Sequence, residues 1–268
     1  IRDRYKDSVN RKINLPKTPQ RIISLVPSLT ELLHDMGMER QIIGITKYCV
    51  HPNHYQVKKT IVGGTKKVKN KVIKDLNPDF ILCSKEENTQ EIVMELEKIA
   101  PVYVTDVNSL DTALQLIKDL GILFDRRTQS EHIIDKINFQ LQDFQNFIKD
   151  IPTRKVAYFI WAKPWMVAGS TTFINDMLRI CKFKNAYANQ ERYPEINIKK
   201  MRIIAKPKLL LFSSEPHHFT DEEVFEVLRR NRKTLTIYVD GQYFSWYGSR
   251  LIKAFDHFKE VHKKIIAF

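Results

Sequence analysis

Cysteine is scarce. The 268 residues hold three, Cys49, Cys83 and Cys181, widely spaced and odd in number. That excludes a disulfide framework, and each thiol lies in or after an apolar run, the setting of a small buried hydrophobe. No stretch approaches the ~18 uninterrupted apolar residues of a membrane span; the run Leu209-Leu210-Leu211-Phe212 is strand-sized. Short repeats and low-complexity tracts are absent. Also missing are the GxSxG, GxxxxGKS/T, GxGxxG and HExxH patterns of the common catalytic and nucleotide sites, and the paired CxxC or HxxxH spacing of structural zinc. Without a helix-turn-helix, RNP or zinc-finger pattern, nucleic acid is not an expected partner. The start, Ile1-Arg2-Asp3-Arg4, carries no apolar h-region. The expected compartment is the periplasm if a signal peptide has been removed, and otherwise the cytoplasm.

What is present is an ordinary globular balance, 43% apolar and 28% charged, in a chain long enough for two packed domains. The net charge of +13 gathers in 2–17, in 58–74 with Lys66, Lys67, Lys69, Lys71 and Lys74, and in 199–208. We read it as a solvated surface rather than the footprint of an anionic partner.

Short β-branched runs alternate with amphipathic stretches. Strands are predicted at 21–26, 42–46, 80–84, 102–105, 155–161, 166–168, 209–213 and 235–239, and helices at 28–36, before Asn77-Pro78, and at 88–99, 110–120, 170–180, 198–205, 221–230 and 249–266. Ser28-Leu29-Thr30-Glu31 reads as a capping box, and Gly37 as the stop of its helix. Between 126 and 149 there is no Pro or Gly. Apolar residues recur there at three and four, which predicts one amphipathic helix of about 35 Å. The organisation expected is an α/β lobe over 1–125, a backbone helix over 126–150 and a second α/β lobe over 151–268. Each lobe is Rossmann-like, with a mainly parallel sheet.

Open parallel sheets bind ligands outside the carboxyl ends of their strands. That rule selects Tyr48, Cys49 and His51; Lys85 with Glu86-Glu87; Trp161 and Trp165; Ser214-Glu215; and Asp240 with Tyr243-Phe244-Ser245-Trp246-Tyr247. Four aromatics in the five positions 243–247 suit a large, flat, partly polar ligand; the alternative is that they pack their own lobe. Cys49, His51 and Cys83 are weak candidates for a bare-ion site. A single axial donor, Tyr48, Cys49 or His51, to an already chelated metal is the preferred reading. Glu86-Glu87 reads as the opening of a helix rather than an acid/base pair, and His217-His218 as surface.

These residues resemble a known family. The opening Arg21-Ile22-Ile23-Ser24-Leu25-Val26-Pro27-Ser28-Leu29-Thr30-Glu31 resembles that of the ABC-importer substrate-binding proteins for cobalamin, haem and ferric siderophores. In that family a single helix joins two lobes. Gly44-Ile45-Thr46-Lys47-Tyr48 with Pro52, Leu76-Asn77-Pro78-Asp79-Phe80-Ile81-Leu82, and Gly169 followed by Phe173-Ile174-Asn175-Asp176-Met177-Leu178 and Asn185 resemble its later motifs, over about 18–268. The pattern is most similar to the cobalamin-binding member.

The resemblance implies a monomeric, non-enzymatic receptor that clamps a chelated metal, a cobalt corrinoid or iron, between its lobes for an ABC permease, with no intrinsic cofactor. It implies ligand contacts at Tyr48, Trp161 or Trp165, Tyr193 and Asp240. Two further aromatic positions of that member fall on Thr65 and Ser84, so the ligand class stays broad. The family's permease-docking carboxylates fall on Lys71 and Lys200, both charge-inverted, which leaves Glu195 as a substitute or a partner with acidic docking residues. The other readings are a cytoplasmic chelate-handling protein, a bare zinc or manganese receptor using His51, and a small two-lobed transferase using Glu86-Glu87 and Asp240.

Overall fold

The computed structural model describes residues 5–232 and 234–267. The chain runs β1 (Tyr5–Lys6), β2 (Lys12–Ile13), β3 (Ile22–Ser24), α1 (Pro27–Asp35), β4 (Ile42–Ile45), α2 (Tyr55–Lys58), β5 (Thr60–Ile61), α3 (Asn70–Asp75), β6 (Phe80–Ser84), α4 (Gln90–Glu97), β7 (Val102–Thr105), α5 (Leu110–Leu123) and α6 (Arg127–Ile148). It continues with β8 (Arg154–Trp161), β9 (Met166–Val167), α7 (Phe173–Ile180), β10 (Phe183–Asn185), α8 (Met201–Ile204), β11 (Leu209–Ser213), α9 (Asp221–Arg230), β12 (Leu235–Val239), α10 (Gln242–Ser245) and α11 (Leu251–Ile266).

Two compact units result. The first takes residues up to Val107, then Asp111–Ile137 and Tyr247–Arg250; the second takes Asn108–Leu110, Asn138–Trp246 and the residues from Leu251 on. The helix α6 spans the predicted 126–149 stretch within a residue or two, and its residues are shared by both units. The expected bounds had assigned 247–250 to the second lobe, whereas this four-residue segment packs into the first.

The first unit holds a five-stranded parallel sheet in the order β5-β4-β3-β6-β7. The second orders β10-β8-β11-β12 in parallel and adds β9 antiparallel to β8. The central strands β6 and β11 are buried at every residue, which is why their sequences are continuous apolar runs rather than alternating ones. Beneath the first sheet Ile23, Ile81, Cys83, Leu96 and Val102 form one core. In the second, Phe159, Trp165, Leu210, Phe212 and Val227 form another, with the Phe159 and Phe212 rings stacked 4.7 Å apart.

The predicted capping box at Ser28 does not form. Pro27 occupies the first turn of α1, the N-cap is Val26, and no side chain caps it. Ser28 Oγ is buried without a hydrogen bond, and the Glu31 carboxylate is held instead by Arg250. The reciprocal box occurs at Thr220 and Glu223, opening α9. Gly37 does end α1, at φ +76°, a conformation without a Cβ penalty.

Gly169 is required for a different reason. A Cβ there would lie 2.1 Å from the Gln190 carbonyl oxygen. Gly169→Ala must displace backbone, and the expected loss is about 2–3 kcal/mol, read as a lowered urea midpoint with an unchanged m-value.

Candidate ligand site

In the first unit the ligand-end loop after β4 is tied down from below. Cys49 is fully buried, with Sγ 3.1 Å from Thr30 Oγ1 and 3.2 Å from Thr46 Oγ1. Gln56 Nε2 donates to the carbonyls of Lys47 (3.3 Å) and Cys49 (2.8 Å). The Tyr48 ring is left half exposed, with the Lys47 ammonium 5.0 Å from its centre. Gly64 offers it a flat bed: a Cβ at Gly64 would stand 3.2 Å from the ring. His51 is half-buried at a cis bond to Pro52. Lys85, directly after β6, is exposed and pairs with Asp106 at 2.7 Å.

The ends of β6 and β7 are covered. Ser84 is buried, and Tyr247 Oη lies 3.1 Å from its hydroxyl and 3.3 Å from Thr105 Oγ1. An aromatic is thus supplied to that strand end by position 247 rather than by 84.

In the second unit Trp161, the last residue of β8, is 39% exposed. Its indole packs on the His217 ring at 5.2 Å. His217 is itself fixed by Glu223 Oε2 at 2.9 Å and by the edge of Phe219, so the expectation of a surface histidine gives way to a half-buried, carboxylate-oriented one. After β12, Asp240 is half-buried and accepts from the Gln242 amide. Glu215, after β11, accepts from Ser245 Oγ at 2.8 Å and Trp246 Nε1 at 2.9 Å. Burial raises its pKa, and the Asp240 charge adds to the rise. Tyr193 is half-buried beneath the Arg192 guanidinium, 5.8 Å from the ring centre.

Several expected site residues prove to be core. Phe244 is fully buried against Tyr158 and Phe258. Trp165 belongs to the apolar core, stacked on Phe219. Trp246 is buried and spends its N–H on Glu215. Of the four aromatics in 243–247 only Tyr243 stays partly open, over His257 at 4.8 Å.

The bare-ion reading also fails. Among the described residues no group of three His, Cys, Asp or Glu could hold an ion. Burial raises the Cys49 pKa and pushes that of Cys83 up to about 12, the setting of buried apolar thiols. Glu86 and Glu87 lie in a turn before α4, whose N-cap is Thr89 and whose first-turn acid is Glu91. Lys71, Lys200 and Glu195 are all exposed.

Sequence reasoning missed the His217–Glu223 pair and the partners of Glu215. Glu215 was among the strand-end residues, but its partners lie thirty residues on, at a distance no local pattern encodes.

Two histidines of α11, His262 buried and His257 half-buried, make the second unit acid-sensitive. His262 Nε2–H donates to the Cys181 carbonyl at 2.9 Å, its ring stacked on Phe183, and His257 lies under Tyr243. Burial lowers both pKa values. Each group therefore stabilises the fold above its unfolded pKa of ~6.5, and that stability is lost as pH falls through the lower folded value. Glu215, with a raised pKa, acts with the opposite sign in a lower window. The melting temperature is expected to fall between pH 7.5 and 5.5, and to fall less in a His257→Phe/His262→Gln variant. Differential scanning calorimetry across that range checks it.

Two parallel-sheet α/β units, each with polar and aromatic side chains gathered at its strand ends, are the architecture of solute-binding proteins. The chain belongs to the periplasmic binding protein family, whose model matches residues 22–233. It is 27% identical over 192 residues to the ABC transporter substrate-binding lipoprotein YvrC of Bacillus subtilis (strain 168), a match that covers 69% of this chain and 60% of that protein's length. It is 22% identical to the vitamin B12-binding protein of Pectobacterium atrosepticum, over 88% of this chain and 86% of that one. The fold is similar to that of the petrobactin-binding protein YclQ of Bacillus subtilis, with TM-score 0.79 and 15% identity, covering 96% of this chain and 97% of that structure. No helix among the described residues is long and apolar enough to cross a membrane.

Proposed function

We propose that this chain is the non-enzymatic substrate receptor of an ABC importer and that its substrate is a metal chelate of the cobalamin, haem or ferric-siderophore kind. The observation that carries the reading is the exposed Trp161 indole, seated at the carboxyl end of β8 on a carboxylate-held imidazole. A large ring left 39% exposed on a fixed support is suited to a flat ligand. In the first unit Tyr48, on its Gly64 bed and beside Lys47, has the same character, and the ammonium suits an anionic substituent. The B12-binding relative and the lipoprotein relative support the substrate class and an extracytoplasmic place of work.

The ligand brings its own metal, so the chain needs only to embrace a preformed complex. A thermal-shift panel of cyanocobalamin, haemin, a ferric siderophore and a sugar nucleotide tests this. One of the three chelates is expected to raise the melting temperature by several degrees at 100 times its Kd. A shift with the sugar nucleotide alone would refute it.

A further inference from the structure

The amino ends of β8, β11 and β12 form the pole of the second unit opposite the strand ends that carry Trp161 and Glu215. A cleft of about 770 Å³ opens there. Thr153, Arg154, Lys155, Lys208 and Thr234 line it, and no carboxylate and no aromatic ring is among its walls. The topology concentrates cations at this pole. Parallel strands are all entered from the same end, so 152–155, 182–184, 206–208 and 229–232 meet there. These four segments hold nine Lys or Arg and no Asp or Glu.

The strand register sets three of the cations in a row. Lys155 on β8 is the direct partner of Lys184 on β10. On the other side of β8, the Lys208 amide donates to the Lys155 carbonyl at 2.7 Å. Neighbouring strands are ~4.8 Å apart, and like charges opposite one another destabilise a sheet. Nothing in the protein offsets that cost: among the described residues no carboxylate pairs with Arg154, Lys155, Lys184 or Lys208. Lys182 differs, because its ammonium donates to the carbonyls of Ile148, Lys149 and Ile151 at the end of α6 and so has a structural use.

We infer that this cleft is a binding site for a phosphate chain, the di- or triphosphate of an inorganic polyphosphate or of a nucleotide. A row of ammonium groups calls for several negative charges along one ligand, where a single small anion would offset only one of them. Phosphate oxygens accept from ammonium, guanidinium and hydroxyl donors alike, which is the donor set of these walls. A flat chelate finds no ring here to stack on. Recognition rests on side chains from separate strands, so no glycine-rich phosphate loop is needed and no local motif announces the site. The inference is independent of the chelate reading.

The test is isothermal titration of the 268-residue chain in about 0.15 M salt with inorganic triphosphate, ATP and orthophosphate, with sulfate at matched ionic strength as the control. A cation of this exposure contributes up to about fivefold in affinity. Triphosphate and ATP are therefore expected to bind saturably, about tenfold or more tighter than orthophosphate. Lys155→Gln/Lys208→Gln is expected to weaken triphosphate by about tenfold. Its melting temperature without ligand is expected to hold or rise, because repulsion between strands is relieved. Lys208→Gln alone, at an exposed position, is expected to act in the same direction. The charge-matched Lys118→Gln/Lys136→Gln variant, on α5 and α6, is expected to change binding less than about threefold.

Comparable affinities for triphosphate and ATP would assign recognition to the phosphates alone, and a tighter ATP would identify a nucleotide as their source. No saturable binding of triphosphate would overturn the proposal. So would binding of ATP without binding of triphosphate, an equal response to sulfate, or an equal loss in the charge-matched variant.

Discussion

Arg250→Ala is expected to lower the unfolding free energy by about 3–4 kcal/mol. The guanidinium meets Glu31 in a fork, Nε at 2.8 Å from Oε2 and Nη2 at 2.7 Å from Oε1. Both side chains are shielded, at 8% and 14% exposure. Removing the cation leaves a carboxylate with little water and no counter-charge, and that penalty, rather than the net worth of the pair, sets the size of the loss. A shape-filling Arg250→Met/Glu31→Leu double replacement removes both charges and is expected to recover most of it. Urea unfolding of the three proteins measures this. A single mutant within 1 kcal/mol of the parent would contradict it.

The pair has an architectural consequence. Arg250 closes the Tyr247–Arg250 segment that packs into the first unit. The same segment brings Tyr247 over Ser84 and Thr105 and Gly248, at φ +115°, against α1, where an added Cβ would stand 3.4 Å from the Ser28 carbonyl oxygen. Loosening it uncovers the ends of β6 and β7 and is expected to weaken ligand binding as well as the fold.

The second large effect concerns affinity. Trp161→Ala and Tyr48→Ala are each expected to weaken chelate binding by at least tenfold, and by up to about 100-fold, the range of an aromatic anchor losing 1.4–3 kcal/mol. Neither ring is integral to a core, at 39% and 50% exposure, so the melting temperatures should move little. Phe244→Leu and Trp165→Leu are expected to do the reverse. Both rings are buried, so these changes cost about 1–3 kcal/mol of stability and leave the affinity of the folded protein near its original value. Fluorescence titration beside thermal melting separates the two outcomes. Loss of affinity confined to the Phe244 and Trp165 variants would show that the wrong rings have been assigned to the ligand.

This division also marks what the sequence made legible. Strands 80–84, 102–105 and 209–213 are buried along their length and read as short, mainly apolar runs, while 235–239, with Tyr238 half exposed, reads through its β-branched and aromatic residues; all four match the predicted bounds. The helix α6 was visible through its uninterrupted period. What stayed hidden was set by contacts between distant residues. Glu31 sits three residues after a serine and reads as a cap until Arg250, 219 residues away, claims its carboxylate. The run 243–247 reads as an exposed aromatic patch until α10 turns Phe244 into the core, Trp246 toward Glu215 and Tyr247 toward Ser84. Strand ends can be named from sequence; which side chains there remain open depends on what the rest of the chain lays over them. The short strand β10 was missed for the opposite reason, since its three residues, one of them exposed, carry almost no pattern.

The most direct test of the central claim is an isothermal titration of the purified chain with cyanocobalamin, haemin and a ferric siderophore, each against its metal-free or apo form. The account predicts saturable binding of at least one chelate at micromolar Kd or tighter, weakened at least tenfold by Trp161→Ala. No heat with any of the three, or binding indifferent to both Trp161→Ala and Tyr48→Ala, would contradict it.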